Sequence, residues 1–478
     1  MSDLHDLTAL EQGAAVRRGE VSSSELVEHY LERTERLSDD VGAFVTVTAD
    51  RAREQAGAFD PSAGAGRSTL DQPGSSSLAG VPTAIKDLNA TAGVRTTFGS
   101  ASLAGFVPEI SDEVVLRIER AGLISLGKTN TPEFGSPCYT EPDVAPPART
   151  PYDLSRMAGG SSGGAAAAVA AGLVPVAHGS DGGGSIRIPA SCCGLFGLKP
   201  SRGRISAAPM YGDPVGLGTS GALARTVRDA AALLDVMAGP ADGDPYWAAP
   251  LPEQESYLGW CDREPARLRI ARFATPLIAD VPVHAACLDG YERAGRLLAG
   301  LGHDVEDVQV PIPPDAVGTF ETCWSVLTAL TELPSEAEPL LRPLTRWLRD
   351  RGRAVSGPEF GLAVGELRRI AARALTALAP YDAVLTPTLA QPPLRVGEIR
   401  DDADPVQDFE NQKAFTPWTS GWNLTGMPAA SLPLHWAPDG LPVGVMLAGR
   451  PGQDHVLLSL CAQIEASAPW VDHHPPCW

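Results

Sequence analysis

Lysine is scarce in this sequence, and long apolar runs are absent. Only four of the 38 basic residues are lysines, namely Lys86, Lys128, Lys199 and Lys413, and the others are arginines. No apolar run approaches the roughly 18 residues that a membrane-spanning helix needs. The N-terminal "MSDLHDLTALEQ" has no basic segment followed by an apolar one, so it does not resemble a signal peptide. We therefore expect a cytoplasmic protein that makes no membrane contact.

The eight cysteines include no C-x-x-C pair, and positive charge is in short supply. Cysteines scattered in this way are predicted to be free thiols in a reducing compartment. The net charge of −20 and the pI near 4.9 give a surface that repels phosphate backbones. The composition therefore argues against a nucleic-acid partner.

Helical and strand patterns alternate after about residue 80, which predicts an α/β fold with helices packed on a sheet. Residues 1–60 are predicted to form a helical arm, because "TALE" and "SSSE" are typical capping boxes. A turn-rich linker is predicted at Pro61–Ser77. The further predicted elements are strands at 80–86, 123–128, 173–179, 303–311 and 381–388, helices at 111–122, 162–172, 227–239, 285–302 and 455–467, a mostly helical region at 320–378, and a hairpin at 429–449.

Two clusters of glycine and serine lie between Arg156 and Gly194, and three known motifs fit them or their surroundings poorly. "GGSSG" matches a nucleophile elbow centred on Ser161, but that motif needs a strand leading into the serine, and "RTPYDLSRMAGG" is loop-like. "SLGK" matches S-x-x-K, but a strand would place Ser125 and Lys128 on opposite faces. "GSDGGGS" lacks the G-K-[ST] ending of a phosphate-binding loop.

Ser185 is the stronger candidate nucleophile, because it follows "DGGG" where a loop is predicted to enter a helix. The N–H groups of Gly182, Gly183, Gly184 and Ser185 are expected to converge there as an oxyanion hole. Ser185 still needs a base, and His178 is predicted to lie on the wrong strand for that role. Lys86 ends a predicted strand, and Ser161 is a candidate relay between the two, although periodicity alone cannot establish these contacts.

The stretch "GGSSGGAAAAVAAGLVPVAHGSDGGGSIRIPASCCG", together with "GVPTAIKD" and "NLTGMPAASLPLHW", resembles the amidase signature family. The resemblance spans nearly the whole chain and implies one domain over 1–478, with a mixed central sheet covered by helices on both faces. It places the catalytic core at 80–206 and a helical insertion that shapes the substrate pocket at 315–380.

The resemblance also implies a Ser–cis-Ser–Lys triad. Ser185 would be the nucleophile, Ser161 the bridging serine after a cis Gly160–Ser161 peptide bond, and Lys86 the base with a pKa lowered by burial. Asp181 and Arg187 would support the loop through a salt bridge, and Lys128 and Lys199 would be structural. No metal and no cofactor are implied.

The implied activity is hydrolysis of the C–N bond of a small-molecule amide, in the class of hydrolases acting on linear amides. The motifs are similar to those of stand-alone enzymes such as 6-aminohexanoate-cyclic-dimer hydrolases and aryl acylamidases. Apolar, aryl, cyclic or oligomeric amides, carbamates and esters are all candidate substrates. A glutamine-hydrolysing A subunit of a tRNA-dependent amidotransferase and an inactive binding scaffold remain open, as do a monomer and a homodimer. Candidate pocket residues are Gly135, Ser136, Cys323, Trp324, Phe415, Trp418 and Trp422.

Overall fold

A computed structural model describes residues 3–59, 76–313 and 315–478. Most of the predicted linker, residues 61–75, therefore lies outside the described residues. The strands of the described chain are β1 Phe44–Val47, β2 Pro82–Lys86, β3 Ile124–Thr129, β4 Val176–Asp181, β5 Phe196–Lys199, β6 Thr219–Ala224, β7 Arg269–Arg272, β8 Asp304–Asp307, β9 Ala383–Pro387, β10 Ala429–Trp436 and β11 Pro442–Gly449.

The helices pack through their apolar faces on these strands or on one another. They are α1 Ala9–Arg18, α2 Ser23–Val41, α3 Ala49–Gly57, α4 Glu113–Arg120, α5 Gly163–Ala170, α6 Arg187–Cys192, α7 Val227–Met237, α8 Tyr257–Trp260, α9 Ala285–Gly300, α10 Ala316–Ala329, α11 Pro343–Ala354, α12 Gly357–Leu378, α13 Pro405–Phe415, α14 Ser420–Thr425 and α15 Asp454–Ser467. None of the helices in the described part of the chain is long and apolar enough to cross a bilayer.

The strands form two sheets that lie next to each other. One sheet has the order β1-β3-β2, and the other has the order β4-β6-β5-β10-β11-β9-β7-β8. Parallel pairs (β2 with β3, β7 with β8 and β9) occur together with antiparallel pairs, so the predicted mixed α/β architecture is confirmed. Strand β2 lies next to β4, because Thr83 Oγ1 donates to Val176 O at 3.0 Å and Lys86 N–H donates to His178 Nδ1 at 3.4 Å.

The small residues of α5 allow it to lie in the centre of the molecule. Every residue of this helix is buried. A Cβ atom on Gly164 would stand 2.3 Å from the backbone nitrogen of Asn130, so the helix approaches the end of β3 more closely than alanine would permit. The glycines and alanines of α5 are thus required by its close packing, as well as by the conformation of the loop before it.

Several predicted elements are confirmed, and others are shifted or were missed. Thr8 with Glu11 and Ser22 with Glu25 form both predicted capping boxes, at the starts of α1 and α2. The arm is not helical throughout, since it includes β1, which pairs with β3. Strand β4 begins three residues later than predicted and extends to Asp181.

Most of the elements that pattern analysis missed are short, and the 11-residue helix α13 is the exception. Strands β5 and β7 have four residues each, and β6 is interrupted by glycine, so none shows a clear alternation. The region 320–378 is mostly helical as predicted, through α10, α11 and α12. All eight cysteines are free, which confirms that part of the prediction.

Candidate active site

The end of β2 brings a buried amine to a serine hydroxyl. Lys86 Nζ donates to Ser161 Oγ at 2.8 Å and to Ser180 O at 3.2 Å. Lys86 is completely buried and Ser161 is buried as well. Burial lowers the pKa of Lys86 to about 7, while the nearby Asp181 carboxylate opposes the shift. A large fraction of this amine is therefore neutral at neutral pH, and its lone pair can accept a proton.

His178 lies beside Lys86 but does not bond to Ser161 or Ser185. Its Nδ1 accepts from the backbone N–H of Lys86, and its Nε2 contacts Ser220 Oγ at 3.1 Å. Burial and the Lys86 charge lower the pKa of His178 to about 3, so the imidazole is neutral. Both ring nitrogens are engaged in holding β2, β4 and β6 together, as expected for a structural histidine.

Ser161 follows a cis peptide bond to Gly160, as the family resemblance implied. The loop that contains it is joined to the second serine through the backbone, since Ser162 N–H donates to Ser185 O at 3.0 Å. Among the described residues, the only hydrogen bond of Ser161 Oγ is the one with Lys86, and the Ser185 hydroxyl has no protein partner. Ser185 is 9% exposed and lines a cleft.

The glycine loop before Ser185 presents free backbone donors, although fewer than predicted. Within the described residues, the N–H groups of Gly182, Gly183 and Ser185 have no protein acceptor. The N–H of Gly184 donates instead to Asp181 Oδ1 at 2.8 Å. The predicted participation of Gly184 in an oxyanion hole is therefore wrong, because the carboxylate at the start of the loop occupies that donor.

Asp181 and Arg187 form a fully buried ion pair, with Arg187 Nη2 2.8 Å from Asp181 Oδ1. Burial alone would raise the pKa of Asp181, but the Arg187 charge and its hydrogen bonds hold that pKa well below its usual range. Asp181 also accepts from Ile186 N–H at 3.1 Å. The carboxylate therefore ties both ends of the loop to the first turn of α6.

Thr419, at the start of α14, and Asn423, within it, contact the same loop and were not singled out from the sequence. Asn423 Nδ2 donates to Asp181 O at 3.0 Å and to Asp181 Oδ1 at 2.9 Å, and Asn423 Oδ1 accepts from Arg187 Nη2 at 2.7 Å. Thr419 Oγ1 donates to Gly183 O at 2.6 Å. Their segment, "TSGWNLTG", shows no catalytic pattern and lies more than 230 residues after the loop.

Lys128 and Lys199 are buried but are not bonded to a candidate nucleophile. Lys128 Nζ donates to Asn89 O, to Thr96 Oγ1 at 2.9 Å and to Thr91 Oγ1 at 3.3 Å. Ser125 bonds to Gly127 O instead, so the S-x-x-K pair is not formed. Lys199 Nζ donates to Pro200 O at 2.8 Å.

A cleft with a volume of about 100 Å³, partly open to solvent, begins at Ser185 and is walled largely by apolar side chains. Helix α10 contributes Ala316, Val317, Phe320 and Trp324 to one wall. Trp324 also covers the glycine loop, because Cβ atoms on Gly182 and Gly183 would lie 3.7 Å and 3.8 Å from its ring. Trp324 Nε1 donates to Ser136 Oγ at 3.2 Å.

The predicted pocket residues divide into two groups. Ser136 and Trp324 line the cleft. The prediction is wrong for Cys323, Phe415, Trp418 and Trp422, which are buried in the hydrophobic core and do not line the cleft. Gly135 is not part of the lining either, but it adjoins Ser161, since a Cβ atom there would stand 3.2 Å from Ser161 Oγ. The aromatic pocket residues were predicted from residue type alone, whereas the position of a residue around its helix determines whether it faces the cleft.

One charged pair interrupts the apolar lining. Lys413 Nζ lies 2.7 Å from Glu321 Oε1 and 2.7 Å from Glu410 Oε1. Burial would lower the pKa of Lys413, but the hydrogen bonds to the two glutamates raise it above its ordinary value. Lys413 is therefore a charged group, in contrast to Lys86.

A partly neutral amine bonded to a serine, next to free N–H groups at a second serine, is an arrangement typical of hydrolases that attack carbonyl groups. The family model described as Amidase matches residues 25–458. The chain therefore belongs to the amidase family, whose members hydrolyse amide bonds.

Individual relatives are similar over the full length of the chain. AmiB2 of Mycobacterium tuberculosis is 39% identical over 484 residues, which cover 99% of each chain. A structure of 6-aminohexanoate cyclic dimer hydrolase complexed with substrate superposes with a TM-score of 0.89 at 31% identity, covering 99% of this chain and 100% of the other. A bacterial aryl acylamidase of the amidase signature family superposes with a TM-score of 0.86 at 29% identity, covering 99% and 98%.

Proposed function

We propose that this protein hydrolyses a neutral carboxylic amide through an acyl-enzyme on Ser185, with Ser161 and Lys86 as the proton relay. The observation that carries the proposal is the 2.8 Å contact between Lys86 Nζ and Ser161 Oγ, made by an amine with a pKa near 7. A general base is most effective when its pKa lies near the working pH. Ser185 borders both the relay loop and the cleft, which is where a nucleophile is needed.

In the first half-reaction, neutral Lys86 accepts the proton of Ser161, and Ser161 accepts the proton of Ser185. Ser185 Oγ then bonds to the amide carbon, and the carbonyl electron pair moves to oxygen. The N–H groups of Gly182, Gly183 and Ser185 stabilise that oxyanion. The relay returns the proton to the amide nitrogen, the C–N bond breaks, and the amine leaves.

In the second half-reaction, water replaces the amine. The same relay removes a proton from water, the hydroxide attacks the acyl carbon, and the Ser185–acyl bond breaks as Ser185 regains a proton. The products are a carboxylic acid and an amine. Ser161 keeps its O–H on Lys86 Nζ while its oxygen accepts from Ser185, so the Ser185 side chain must rotate toward Ser161 Oγ, since the two serine side chains are not bonded to each other in this structure.

The cleft favours substrates with an uncharged, bulky apolar part. Phe320, Trp324 and Phe409 contribute aromatic surface to its lining. Lys413 is bonded to Glu321 and Glu410, and Glu321 also contacts Arg351, so these two cations and two carboxylates together carry no net charge. Aryl amides, cyclic or oligomeric amides, and the corresponding carbamates and esters fit this chemistry better than acetamide. The similarity to a cyclic-dimer hydrolase supports cyclic substrates beside the linear amides expected from the sequence.

The test compares anilides, aliphatic amides, cyclic oligoamides and carbamates with the wild-type protein and Ser185→Ala. We expect hydrolysis of at least one apolar class by the wild type and a mass increase on Ser185 equal to the acyl group. Ser185→Ala should be inactive on all of them. Activity that survives this substitution would refute the assignment of the nucleophile.

The same panel separates the proposal from its alternatives. Glutamine turnover that requires an added partner would favour the amidotransferase subunit, and no turnover of any substrate would favour a binding scaffold. Neither result is expected, because the buried amine, the relay serine and the cleft occur together. A monomer or homodimer in the cytoplasm remains our expectation for the working protein.

A further inference from the structure

The peptide group between Gly183 and Gly184 is held at both ends. Its carbonyl oxygen accepts from Thr419 Oγ1 at 2.6 Å, and its N–H donates to Asp181 Oδ1 at 2.8 Å. A peptide group is planar, so fixing its oxygen and its nitrogen fixes the orientation of the whole plane. This plane separates the two free donors, the N–H groups of Gly183 and Ser185.

Fixing this plane also fixes the Cα atoms of Gly183 and Gly184, from which the flanking peptide groups that carry the N–H groups of Gly183 and Ser185 extend. Rotation of the plane changes ψ of Gly183 and φ of Gly184, which are unusually free at glycine. Gly184 has φ +135°, in the region that favours glycine, so its own preference does not hold the plane in place. The two hydrogen bonds from outside the loop supply the restraint that the glycines lack.

Thr419 is placed so that its hydroxyl acts on this peptide alone. It is fully buried, and Gly183 O is the only hydrogen-bond partner of its hydroxyl among the described residues. A Cβ atom on Gly184 would stand 2.4 Å from Thr419 Oγ1, so the loop and this side chain are in direct contact. The backbone carbonyl of Thr419 accepts separately from Arg187 Nη1 at 2.8 Å. Removal of the hydroxyl therefore leaves the link between α14 and Arg187 intact.

We propose that Thr419 is a positioning residue that orients the oxyanion-binding N–H groups of Gly183 and Ser185 through the carbonyl of Gly183. The proposal rests on the function proposed above, since it assigns a role in stabilising the tetrahedral intermediate of that reaction. Thr419 does not touch the substrate. Its hydroxyl contributes by keeping the two donors aimed at the position where negative charge develops.

The experiment compares Thr419→Val with Thr419→Ser. Valine keeps the size and branching of threonine and removes the donor, whereas serine keeps the donor and removes a methyl group. We expect kcat to fall about 10- to 100-fold in Thr419→Val, below the loss of a complete oxyanion donor, with KM changed less than about twofold. Thr419→Ser should retain kcat within about threefold. If the valine variant does not fold, Thr419→Ala against Thr419→Ser gives the same contrast.

A second readout separates positioning from a general structural effect. An aryl trifluoromethyl ketone forms an anionic tetrahedral adduct with the serine, whereas the product acid does not. Thr419→Val should weaken binding of the ketone by the same factor as it lowers kcat/KM, and it should leave binding of the product acid unchanged.

Equal kcat values in Thr419→Val and Thr419→Ser, or equal weakening of both ligands, would overturn this inference. Ser185→Ala, measured in parallel, distinguishes the two proposals. If that variant keeps activity, the proposed mechanism fails and the role of Thr419 falls with it. If it is inactive while Thr419→Val equals the wild type, only the role of Thr419 is refuted.

Discussion

Lys86 and Lys128 lie on neighbouring strands, and their surroundings differ. The strands pair in parallel, with Ile85 opposite Lys128. Burial lowers the pKa of Lys86 to about 7 and that of Lys128 to about 8. Lys128 Nζ bonds to two threonine hydroxyls and a carbonyl and lies 3.9 Å from Asp87 Oδ1. Lys86 Nζ bonds to one serine hydroxyl, which adjoins the loop of a second serine at the cleft.

The difference shows that burial makes an amine partly neutral, so that it can accept a proton, but does not by itself give the amine a catalytic role. A neutral lysine can act as a general base only if the hydroxyl that it contacts can relay a proton from the group that attacks the substrate. Ser161 satisfies this condition through its position beside Ser185. The hydroxyls of Thr91 and Thr96, which contact Lys128, lie in the core and do not adjoin a candidate nucleophile. We therefore propose a catalytic role for Lys86 and a structural role for Lys128.

The largest expected effect comes from Lys86→Arg. Arginine keeps the positive charge but cannot accept a proton at any working pH, so the relay loses its base. We expect kcat to fall at least ~100-fold, at the low end of the range for a general base. Steady-state kinetics on the preferred amide measure this, with circular dichroism as the control for folding. A near-native rate would place Lys86 with Lys128 as a packing residue.

The reciprocal substitution, Lys128→Met, should lower stability and spare catalysis. It leaves the acceptors around the amine unpaired and removes the cation nearest to buried Asp87. We expect the free energy of unfolding to fall by about 2 kcal/mol, in line with unsatisfied buried polar groups. Urea denaturation measures the loss. A kcat of the folded variant more than tenfold below the wild type would contradict the assignment.

The pH dependence sharpens the same contrast. Only neutral Lys86 accepts a proton, so kcat/KM should rise with pH, tenfold per unit below the pKa near 7, and level off above it. At pH 6 the rate should be about tenfold below the plateau. Lys128→Met should show the same profile. A kcat/KM that is constant between pH 5 and 8, or an apparent pKa that shifts in Lys128→Met, would contradict the assignment of Lys86 as the base.

The smallest effect concerns Lys413, a lysine that the structure keeps charged. Its ion pairs with Glu321 and Glu410 are partly exposed, and such pairs contribute little. Lys413→Met should change kcat/KM for a neutral anilide less than about threefold and leave the pH profile unchanged. A matched cationic anilide should improve relative to the neutral one, because the charge of Glu321 is then offset only by Arg351. Measurement of both anilides at one ionic strength checks this, and a larger loss for the neutral substrate would contradict it.

Sequence patterns predicted the elements that are governed by local chemistry. The capping boxes, the long amphipathic helices and the hairpin of β10 and β11 are all present. The resemblance implied the cis bond at Ser161, and the structure has it. The contact between Lys86 and Ser161 was implied by the resemblance and not by periodicity, and the structure places Lys86 Nζ 2.8 Å from Ser161 Oγ.

The remaining features depend on contacts between distant parts of the chain. Asp181 takes the N–H of Gly184, and Thr419 and Asn423 reach the glycine loop from the last quarter of the sequence. Composition also failed to distinguish Trp324, which faces the cleft, from Trp418, whose Nε1 donates to Thr275 O in the core. Such choices follow from the packing of helices, which local patterns do not encode.

The most direct test of the account is the titration of Lys86 itself. With only four lysines in the chain, labelling lysine with carbon-13 at the ε position gives few enough NMR signals to assign by substitution. The signal lost in Lys86→Arg should titrate near pH 7 in the wild type and keep that midpoint in Lys128→Met. A Lys86 signal that remains that of an ammonium group up to about pH 10, the ordinary value for lysine, would contradict the proposed relay.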